Sequence, residues 1–486
     1  MAFLYWGILA ITAALVLNRV LQYGMRTKDL PPDGPITALK LGAQNMVLLN
    51  DPNVVRDLIE KRQANYSARP DLWVRSFGDN LNIALRDNDE VWRRQRKIYH
   101  LRLNVKSADR YLPYQTFDSL QLVQELLDRP DDFVEHVQRY TASISTAMLY
   151  GWRTPKTGTG YVTDLLTWME VTSEALNFNL VDFYPFLRRP YDIIPHWLLP
   201  SKRKLYELRK LEDRVFFDLL YRAKAKLAAG NAHPSIIRDM LEDKDDDRLD
   251  DRQIANNAAH GFGAAMAQEE LDSVVGINRL PLWEDRPNLP YIRGVVEETL
   301  RWAPSPISGA VPHAAKEDDT YRGKAIPQGS IVMMNIWSLN HDRFENPRDF
   351  DPQRLDPAIT LTENNAISQD SSRRLHFTFG AGRRVCPGFH VAERNLFMAI
   401  SRMLWTFTIE QKRDVYGNLK SIDRDAVYPE NGLIIRPADF ECTISPRDAM
   451  RKMLISKAWK EAEKNLDSEG NFTQDFIDAS FGDGLA

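Results

Sequence analysis

The sequence predicts a mainly α-helical protein with a smaller β region. The chain has 486 residues, of which 43% are hydrophobic, so it is long and apolar enough to bury a large core. Helical periodicity dominates residues 54–240 and resumes at residue 253, whereas strand-like apolar runs are short and cluster near the two ends of the chain. Helix is therefore expected to outweigh strand.

The net charge and the cysteine count argue against two classes of protein. The 63 basic residues and 67 acidic residues leave a formal net charge of −4, so no basic excess is available to hold a phosphate backbone and no nucleic-acid partner is expected. The only cysteines are Cys386 and Cys442. Two cysteines do not form a disulfide framework, and a reducing compartment suits them.

The N-terminus predicts a membrane anchor. Residues 2–21 are almost uninterrupted apolar sequence, and about 20 such residues cross a bilayer. We predict a single transmembrane segment at residues 1–22, with the Arg19 side chain reaching back to the membrane surface. A cleaved signal peptide is the alternative, but the chain lacks the basic start that such peptides need. Because Arg26 and Lys28 also follow the apolar run, the bulk of the chain is expected on the cytoplasmic side.

Local patterns predict the remaining elements in chain order. They are an extended proline-rich hinge, a β-hairpin, a mostly helical stretch, a charged solvated loop, a helix and a strand-like run, at residues 23–38, 39–50, 54–240, 242–251, 291–302 and 330–339. A further helix is expected immediately after Cys386, and the residues beyond 450 are polar.

The strongest signal in the chain is the segment FGAGRRVCPG at residues 379–388. Gly382 permits a tight turn that a side chain would obstruct, and Arg384 offers a cationic fork suited to a carboxylate. Cys386 is expected at a helix N-terminus, with Pro387 at the first helical position. The helix dipole and Arg384 together predict a lowered thiol pKa, and a thiolate is a soft metal ligand. The alternative is an inert, buried cysteine that merely precedes a helix.

This segment resembles the haem-binding segment of the cytochrome P-450 family. It fits the pattern F-x-x-G-x-R-x-C-x-G, with matches at Phe379, Gly382, Arg384, Cys386 and Gly388. The resemblance covers most of the chain and implies the cytochrome P-450 fold with haem b (iron protoporphyrin IX) as cofactor. It also implies that the Cys386 thiolate is the axial iron ligand, which favours cleavage of the O–O bond of dioxygen.

Two further segments match family positions around the haem carboxylates. Trp92 and Arg96 resemble the family's W-x-x-x-R, and this spacing puts both side chains on one helix face. His313 stands where the family often supplies another donor to a haem propionate. The alternatives are a solvated arginine-rich face for the first segment and a histidine held by local hydrogen bonds for the second.

Glu298 and Arg301 match the family's E-x-x-R, and their spacing again places both on one helix face. The resemblance implies that they pair with Arg354 and that this triad fixes the loop carrying the cysteine. The motif is weak by itself, because other segments of the chain match it too, so its value lies in its order along the chain.

The resemblance breaks off in two places. The family's opening helix is missing between the hinge and residue 39, and the central helix on the distal side of the haem lacks its second half. Residues 254–266 resemble the first half, after which the family's acid–alcohol pair is expected. The chain instead continues with Ala267, and Gln268, Glu269 or Glu270 would have to replace the pair as a proton relay.

The resemblance implies a monooxygenase that oxidises a small lipophilic substrate with dioxygen and electrons from an NADPH–cytochrome reductase. It is expected in the endoplasmic reticulum membrane, as a single-pass protein with a cytoplasmic catalytic domain. The sequence most resembles fungal members of the family that modify secondary metabolites and are of the O-methylsterigmatocystin oxidoreductase type. The alternatives are a haem-thiolate protein that does not activate dioxygen (peroxide-using or isomerase-like), an inactive truncated paralogue or an incomplete gene model.

The predicted domain organisation is a transmembrane anchor, a proline-rich hinge, a haem-binding catalytic domain and a polar C-terminal tail, at residues 1–22, 23–38, 39–450 and 451–486.

Overall fold

The computed structural model describes residues 34–77, 81–156, 163–164, 167–168, 171–172, 177–242, 268–354, 374–420, 426–428 and 434–482. The predicted anchor, most of the hinge, all but the first residue of the charged loop and the first half of the distal helix lie outside these ranges. No helix among the described residues is both long and apolar enough to cross a membrane.

Helices form most of the described structure. In chain order they are α1 Pro52–Val55, α2 Gln63–Tyr66, α3 Glu90–Leu103, α4 Val105–Asp109, α5 Leu112–Asp128, α6 Phe133–Tyr150, α7 Leu180–Phe183, α8 Arg188–Ile193, α9 Pro200–Ala228, α10 Ile236–Glu242, α11 Gln268–Val274, α12 Pro290–Trp302, α13 Ile336–His341, α14 Phe389–Thr406, α15 Ala449–Ala462 and α16 Gln474–Phe481.

The strands are short and lie in three stretches of the chain, at residues 36–49, 313–334 and 407–446, so the prediction that they cluster near the two ends holds only for the first and the last stretch. They are β1 Ile36–Leu41, β2 Gln44–Leu49, β3 His313–Ala314, β4 Asp319–Tyr321, β5 Lys324–Ile326, β6 Ile331–Met334, β7 Phe407–Gln411, β8 Val427–Tyr428, β9 Arg436–Pro437 and β10 Cys442–Pro446. A four-stranded sheet has the order β1-β2-β6-β3. The predicted hairpin is confirmed, because β1 and β2 pair antiparallel with Ile36 opposite Leu49.

Two buried clusters position the cysteine segment between helices and sheet. The larger cluster is helical and includes Phe397 and Ile400 of α14. The smaller cluster surrounds the sheet and takes in Val332 of β6 together with Phe377 and Ala381, both fully buried. The loop before Cys386 therefore packs on the sheet, while the helix after it packs in the helical core.

One predicted strand is only half correct. Residues 330–339 were expected to be strand-like, but β6 ends at Met334 and α13 begins at Ile336. The Asn335 side chain accepts a hydrogen bond from the Ser338 N–H at 3.3 Å and caps the new helix. An N-cap asparagine starts a helix within an apolar run that, by periodicity alone, is typical of a strand.

The residues that we predicted as a polar tail pack against the body of the protein. The boundary at residue 450 falls inside α15, and Ile455, Phe472 and Ile477 are all buried. Arg153 ties this part to the body, since its backbone N–H donates to the Asn471 side chain at 3.0 Å. The polar composition of this part of the sequence gave no sign that three apolar side chains, at separated positions, are buried.

Candidate active site

Cys386 lies in a loop that its own backbone closes. The Cys386 N–H donates to the Phe379 carbonyl at 2.8 Å, and the Gly380 N–H donates to the Phe377 carbonyl at 2.7 Å. The Cys386 side chain is half-buried. Backbone hydrogen bonds therefore close the loop that carries the sulfur.

Gly382 lets this loop approach the helical segment after α1. Its φ is +62°, and a Cβ atom there would lie 2.5 Å from the backbone oxygen of Ile59. Any other residue would have to push the two backbones apart and would be strained at this φ. The requirement for glycine at this position of the motif is therefore steric.

The predicted direction of the Cys386 pKa is wrong. Helix α14 begins at Phe389 with Gly388 as its N-cap, so Pro387 is not its first residue and Cys386 precedes the helix. Burial raises the pKa of the Cys386 thiol, while the Gly388 N–H and the Arg96 charge act to lower it. Withdrawal from water outweighs these two stabilising contacts.

Arg96 and Trp92 share one face of α3, as their spacing predicted, but they act differently. Arg96 Nη2 donates to the Val385 carbonyl, one residue before Cys386. The Trp92 indole N–H donates to the Ile83 carbonyl at 3.1 Å and is thus already engaged. Asp89 fixes the start of the helix by accepting from the Trp92 N–H at 2.9 Å. Arg96 therefore reaches the cysteine loop, and Trp92 offers its ring face rather than its N–H.

Arg384 packs against Trp92 of α3. Its guanidinium carbon lies 4.1 Å from the Trp92 ring centre, and its Nε donates to the Ser67 carbonyl at 2.9 Å. Its Nη2 is buried and has no hydrogen-bond partner among the described residues. Burial lowers the Arg384 pKa to about 10, with Asp87 opposing this shift. A buried guanidinium nitrogen without a partner is a ready site for a carboxylate.

His313 lies in β3 with only 3% of its surface exposed. Its Nδ1 is 2.7 Å from the Tyr66 carbonyl oxygen, which can only accept, so the proton of the neutral ring is on Nδ1. Burial lowers the His313 pKa to about 3, with Arg69 and Arg384 adding to this shift. The neutral ring can therefore only accept at Nε2, and donation to a carboxylate there requires a second proton.

Arg69 belongs to the same cluster and was not predicted from the sequence. It is 9% exposed, and burial followed by the charge of Arg384 lowers its pKa well below the ordinary value. Asp87 and Arg96 act on it too, in opposite directions. An arginine before a proline in a loop gives no sequence signal that would have identified it.

The charges of this cluster suit a ligand with two carboxylates. Arg69, Arg96 and Arg384 lie close enough for Arg384 and Arg96 to lower the pKa of Arg69. Burial also lowers the pKa of each of these arginines, so keeping the guanidinium charged costs free energy. The two propionates of haem would offset this repulsion, so the residues present fit the group.

The predicted triad forms in the core. Glu298 and Arg301 are fully buried, and the Arg301 guanidinium donates to both carboxylate oxygens at 2.6 and 2.7 Å. Arg354 Nε donates to Glu298 Oε1 at 3.4 Å, and the Asp351 N–H donates to the same oxygen at 3.0 Å. The ion pair is therefore bidentate and holds the turn around residue 351 against α12.

Asn340 connects this triad to the cysteine loop and was also missed. It is fully buried, and its Oδ1 accepts from the Phe377 N–H at 2.8 Å. Its Nδ2 lies 3.3 Å from the Arg301 carbonyl, and the Thr378 hydroxyl donates to the Leu300 carbonyl at 2.7 Å. The start of the cysteine loop is thus bonded directly to the helix that carries the triad.

The two described candidates for a replacement proton relay are engaged elsewhere. Gln268 Nε2 donates to the Phe407 carbonyl. Glu270 accepts from the Tyr291 N–H at 2.6 Å and from the Ile292 N–H at 2.8 Å, so its carboxylate caps α12. The side chain of Glu269 lies outside the description.

Within the described ranges, no group of three or more histidine, cysteine or acidic side chains could hold a metal ion.

Comparison with known proteins gives a consistent result. The sequence model of the cytochrome P-450 family matches residues 25–267 and 264–435. The match is divided where the second half of the distal helix was expected to be missing. Cytochrome P-450 monooxygenase fogE of Aspergillus ruber is 31% identical over 529 aligned positions, covering 95% of each protein. Cytochrome P-450 monooxygenase virE of Hypocrea virens is 34% identical over 90% of this chain and 83% of that protein.

The fold has solved counterparts. A zebrafish cytochrome P-450 bound to progesterone superposes with a TM-score of 0.67 at 20% identity, over 85% of this chain and 97% of that structure. A second zebrafish structure, with abiraterone, gives a TM-score of 0.65. At this identity the likeness concerns the fold, which is mainly helical with a smaller β region as predicted.

Proposed function

The chain belongs to the cytochrome P-450 family, and we propose that it holds haem through the Cys386 thiolate and oxidises a small lipophilic molecule. Membership makes it a haem-thiolate monooxygenase, an oxidoreductase that uses dioxygen. When bound, haem with a thiolate ligand supplies the activation of dioxygen. The observation that carries the assignment to Cys386 is its self-closed loop beside a buried cationic cluster.

The cluster would hold the haem carboxylates. Arg384 offers the buried Nη2 that lacks a partner among the described residues, and Arg96 offers a charge beside Val385. His313 would donate through Nε2 once its ring carries a second proton, since Nδ1 already donates to Tyr66. A carboxylate at Nε2 would favour that proton.

The remaining motif residues would shape and hold the loop. Phe379 supplies the carbonyl that accepts from Cys386, Gly382 permits the close approach to the neighbouring backbone, and Gly388 donates towards the sulfur. The triad of Glu298, Arg301 and Arg354 would act only by holding the loop.

We infer the partner, the location and the pathway from features of the sequence and from the relatives. Fungal relatives that are monooxygenases support a role in fungal secondary metabolism, with electrons from an NADPH–cytochrome reductase. The apolar residues 2–21 support a single-pass anchor at residues 1–22 in the endoplasmic reticulum membrane, with the catalytic domain on the cytoplasmic side.

Turnover assays test the proposed reaction. The purified chain is supplied with NADPH and a cytochrome reductase in one assay and with hydrogen peroxide alone in a second, and the oxygenated products of a lipophilic compound panel are measured. The proposal expects products that depend on NADPH, the reductase and dioxygen. Products formed with peroxide alone would instead support a haem-thiolate protein that does not activate dioxygen, and haem uptake without either activity would support an inactive paralogue.

A further inference from the structure

One buried arginine joins two stretches of chain that carry the carboxylate-binding side chains. Arg69 Nη1 donates to the carbonyls of Val311 and Pro312, at 2.8 Å each. Its Nε donates to the Ala84 carbonyl at 2.7 Å. Because the guanidinium is planar and rigid, it fixes the separation of these two stretches.

Each of the two stretches leads directly into the site. His313 follows Pro312 in sequence and begins β3. Ile83 precedes Ala84, and its carbonyl accepts from the Trp92 indole N–H at 3.1 Å. Arg69 therefore determines how far the histidine lies from the tryptophan that supports Arg384.

In the segment that contains Arg69, two backbone carbonyls accept hydrogen bonds from carboxylate-binding side chains. The Tyr66 carbonyl accepts from His313 Nδ1 at 2.7 Å, and the Ser67 carbonyl accepts from Arg384 Nε at 2.9 Å. The Arg69 backbone N–H donates to Asp87, which anchors this segment to the stretch after Ile83. His313 and Arg384 thus approach one short segment that is held in place by a buried side chain.

We propose that Arg69 is a positioning residue that sets the separation of His313 and Arg384 and so determines how firmly haem is held. This inference rests on the proposed function. Geometry and not charge alone is required, because a lysine retains the charge but cannot bond three carbonyls in one plane.

Haem release measures the effect. Haem transfer from the holoprotein to excess apomyoglobin is timed for R69M, for R69K and for a matched control, R62M. Arg62 also forms an ion pair, with Asp319. Its side chain is 41% exposed, however, and it contacts none of the arginines of the carboxylate-binding cluster. We expect about ten- to hundredfold faster release for R69M, an intermediate rate for R69K, and an unchanged rate for R62M. A wild-type rate for R69K would mean that charge alone matters and would overturn the proposal.

A double-variant cycle with H313Q distinguishes positioning from a general loss of stability. If Arg69 acts through His313, the double variant releases haem no more than about threefold faster than the faster single variant. Effects that multiply would show that the two residues act independently and would contradict the proposal. Should R69M fail to fold, R69K carries the same cycle.

The reduced carbon monoxide spectrum distinguishes a failure of the proposed function from a failure of the proposed role of Arg69. Without a red-shifted Soret band in the wild-type protein, the proposed function itself fails. With that band present and with R69M and R69K releasing haem at the wild-type rate, only the role of Arg69 falls.

Discussion

The guanidinium of Arg384 lies over the ring of Trp92, with 4.1 Å between the guanidinium carbon and the ring centre. The arginine of the cysteine motif is thus oriented by the tryptophan of the helical motif, although 291 residues lie between them in the sequence. The stack leaves Arg384 Nη2 buried and without a described partner. The two motifs therefore form one carboxylate-binding unit.

Replacing Trp92 should weaken haem binding through Arg384. A cation–π contact of this kind contributes about 1–2 kcal/mol when partly buried, so W92L should release haem to apomyoglobin about 5- to 30-fold faster. W92F retains a ring face and should lie between W92L and the wild type. The control W197L replaces an indole that is 64% exposed and should change nothing. Equal rates for W92L and W197L would contradict the role of the stack.

Acid should destabilise the haem-free chain through His313. Its folded pKa is lowered to about 3, so between that value and about 6.5 the unfolded chain binds a proton that the folded chain does not. Stability is therefore lost as the pH falls through this window, at up to about 1.4 kcal/mol per pH unit. H313Q should flatten the dependence of the unfolding free energy on pH, measured with denaturant. H100Q, at an exposed histidine, should leave it unchanged; a matching slope in H313Q and the wild type would refute the assignment.

Breaking the buried triad should cost far more than breaking a surface pair of the same type. E298Q leaves Arg301 buried without its ion partner, and we expect a loss of about 3–5 kcal/mol in the free energy of unfolding. The matched control is E90Q, which removes the exposed pair with Arg94 and should cost less than about 1 kcal/mol. Denaturant unfolding of both variants gives the comparison. A similar small loss for both would show that the buried triad stabilises the fold no more than a surface ion pair does.

The sequence predicted features that depend on short patterns. The hairpin at β1 and β2, the helix at α12 and the pairing of Glu298 with Arg301 were all correctly predicted, because each depends on neighbours within a few residues. The start of α14 was placed too early, since proline at the first helical position and a loop closed by the Cys386 N–H look alike in sequence.

Residues that act across long separations could not be predicted in the same way. Arg69 bonds carbonyls more than 240 positions away, and Asn340 joins α12 to the loop before Cys386. Both use backbone carbonyl or N–H groups as partners, and every residue of any sequence offers such a carbonyl. Only the fold shows which of them lie close together.

The central claim is tested most directly by the reduced carbon monoxide difference spectrum of two matched cysteine variants. C386A and C442A each remove one of the two cysteines of the chain, and Cys442 is buried in β10 outside the site. The account predicts that the red-shifted Soret band of the wild-type protein persists in C442A and disappears in C386A. A band that survives in C386A, or that disappears in C442A alone, would contradict Cys386 as the iron ligand.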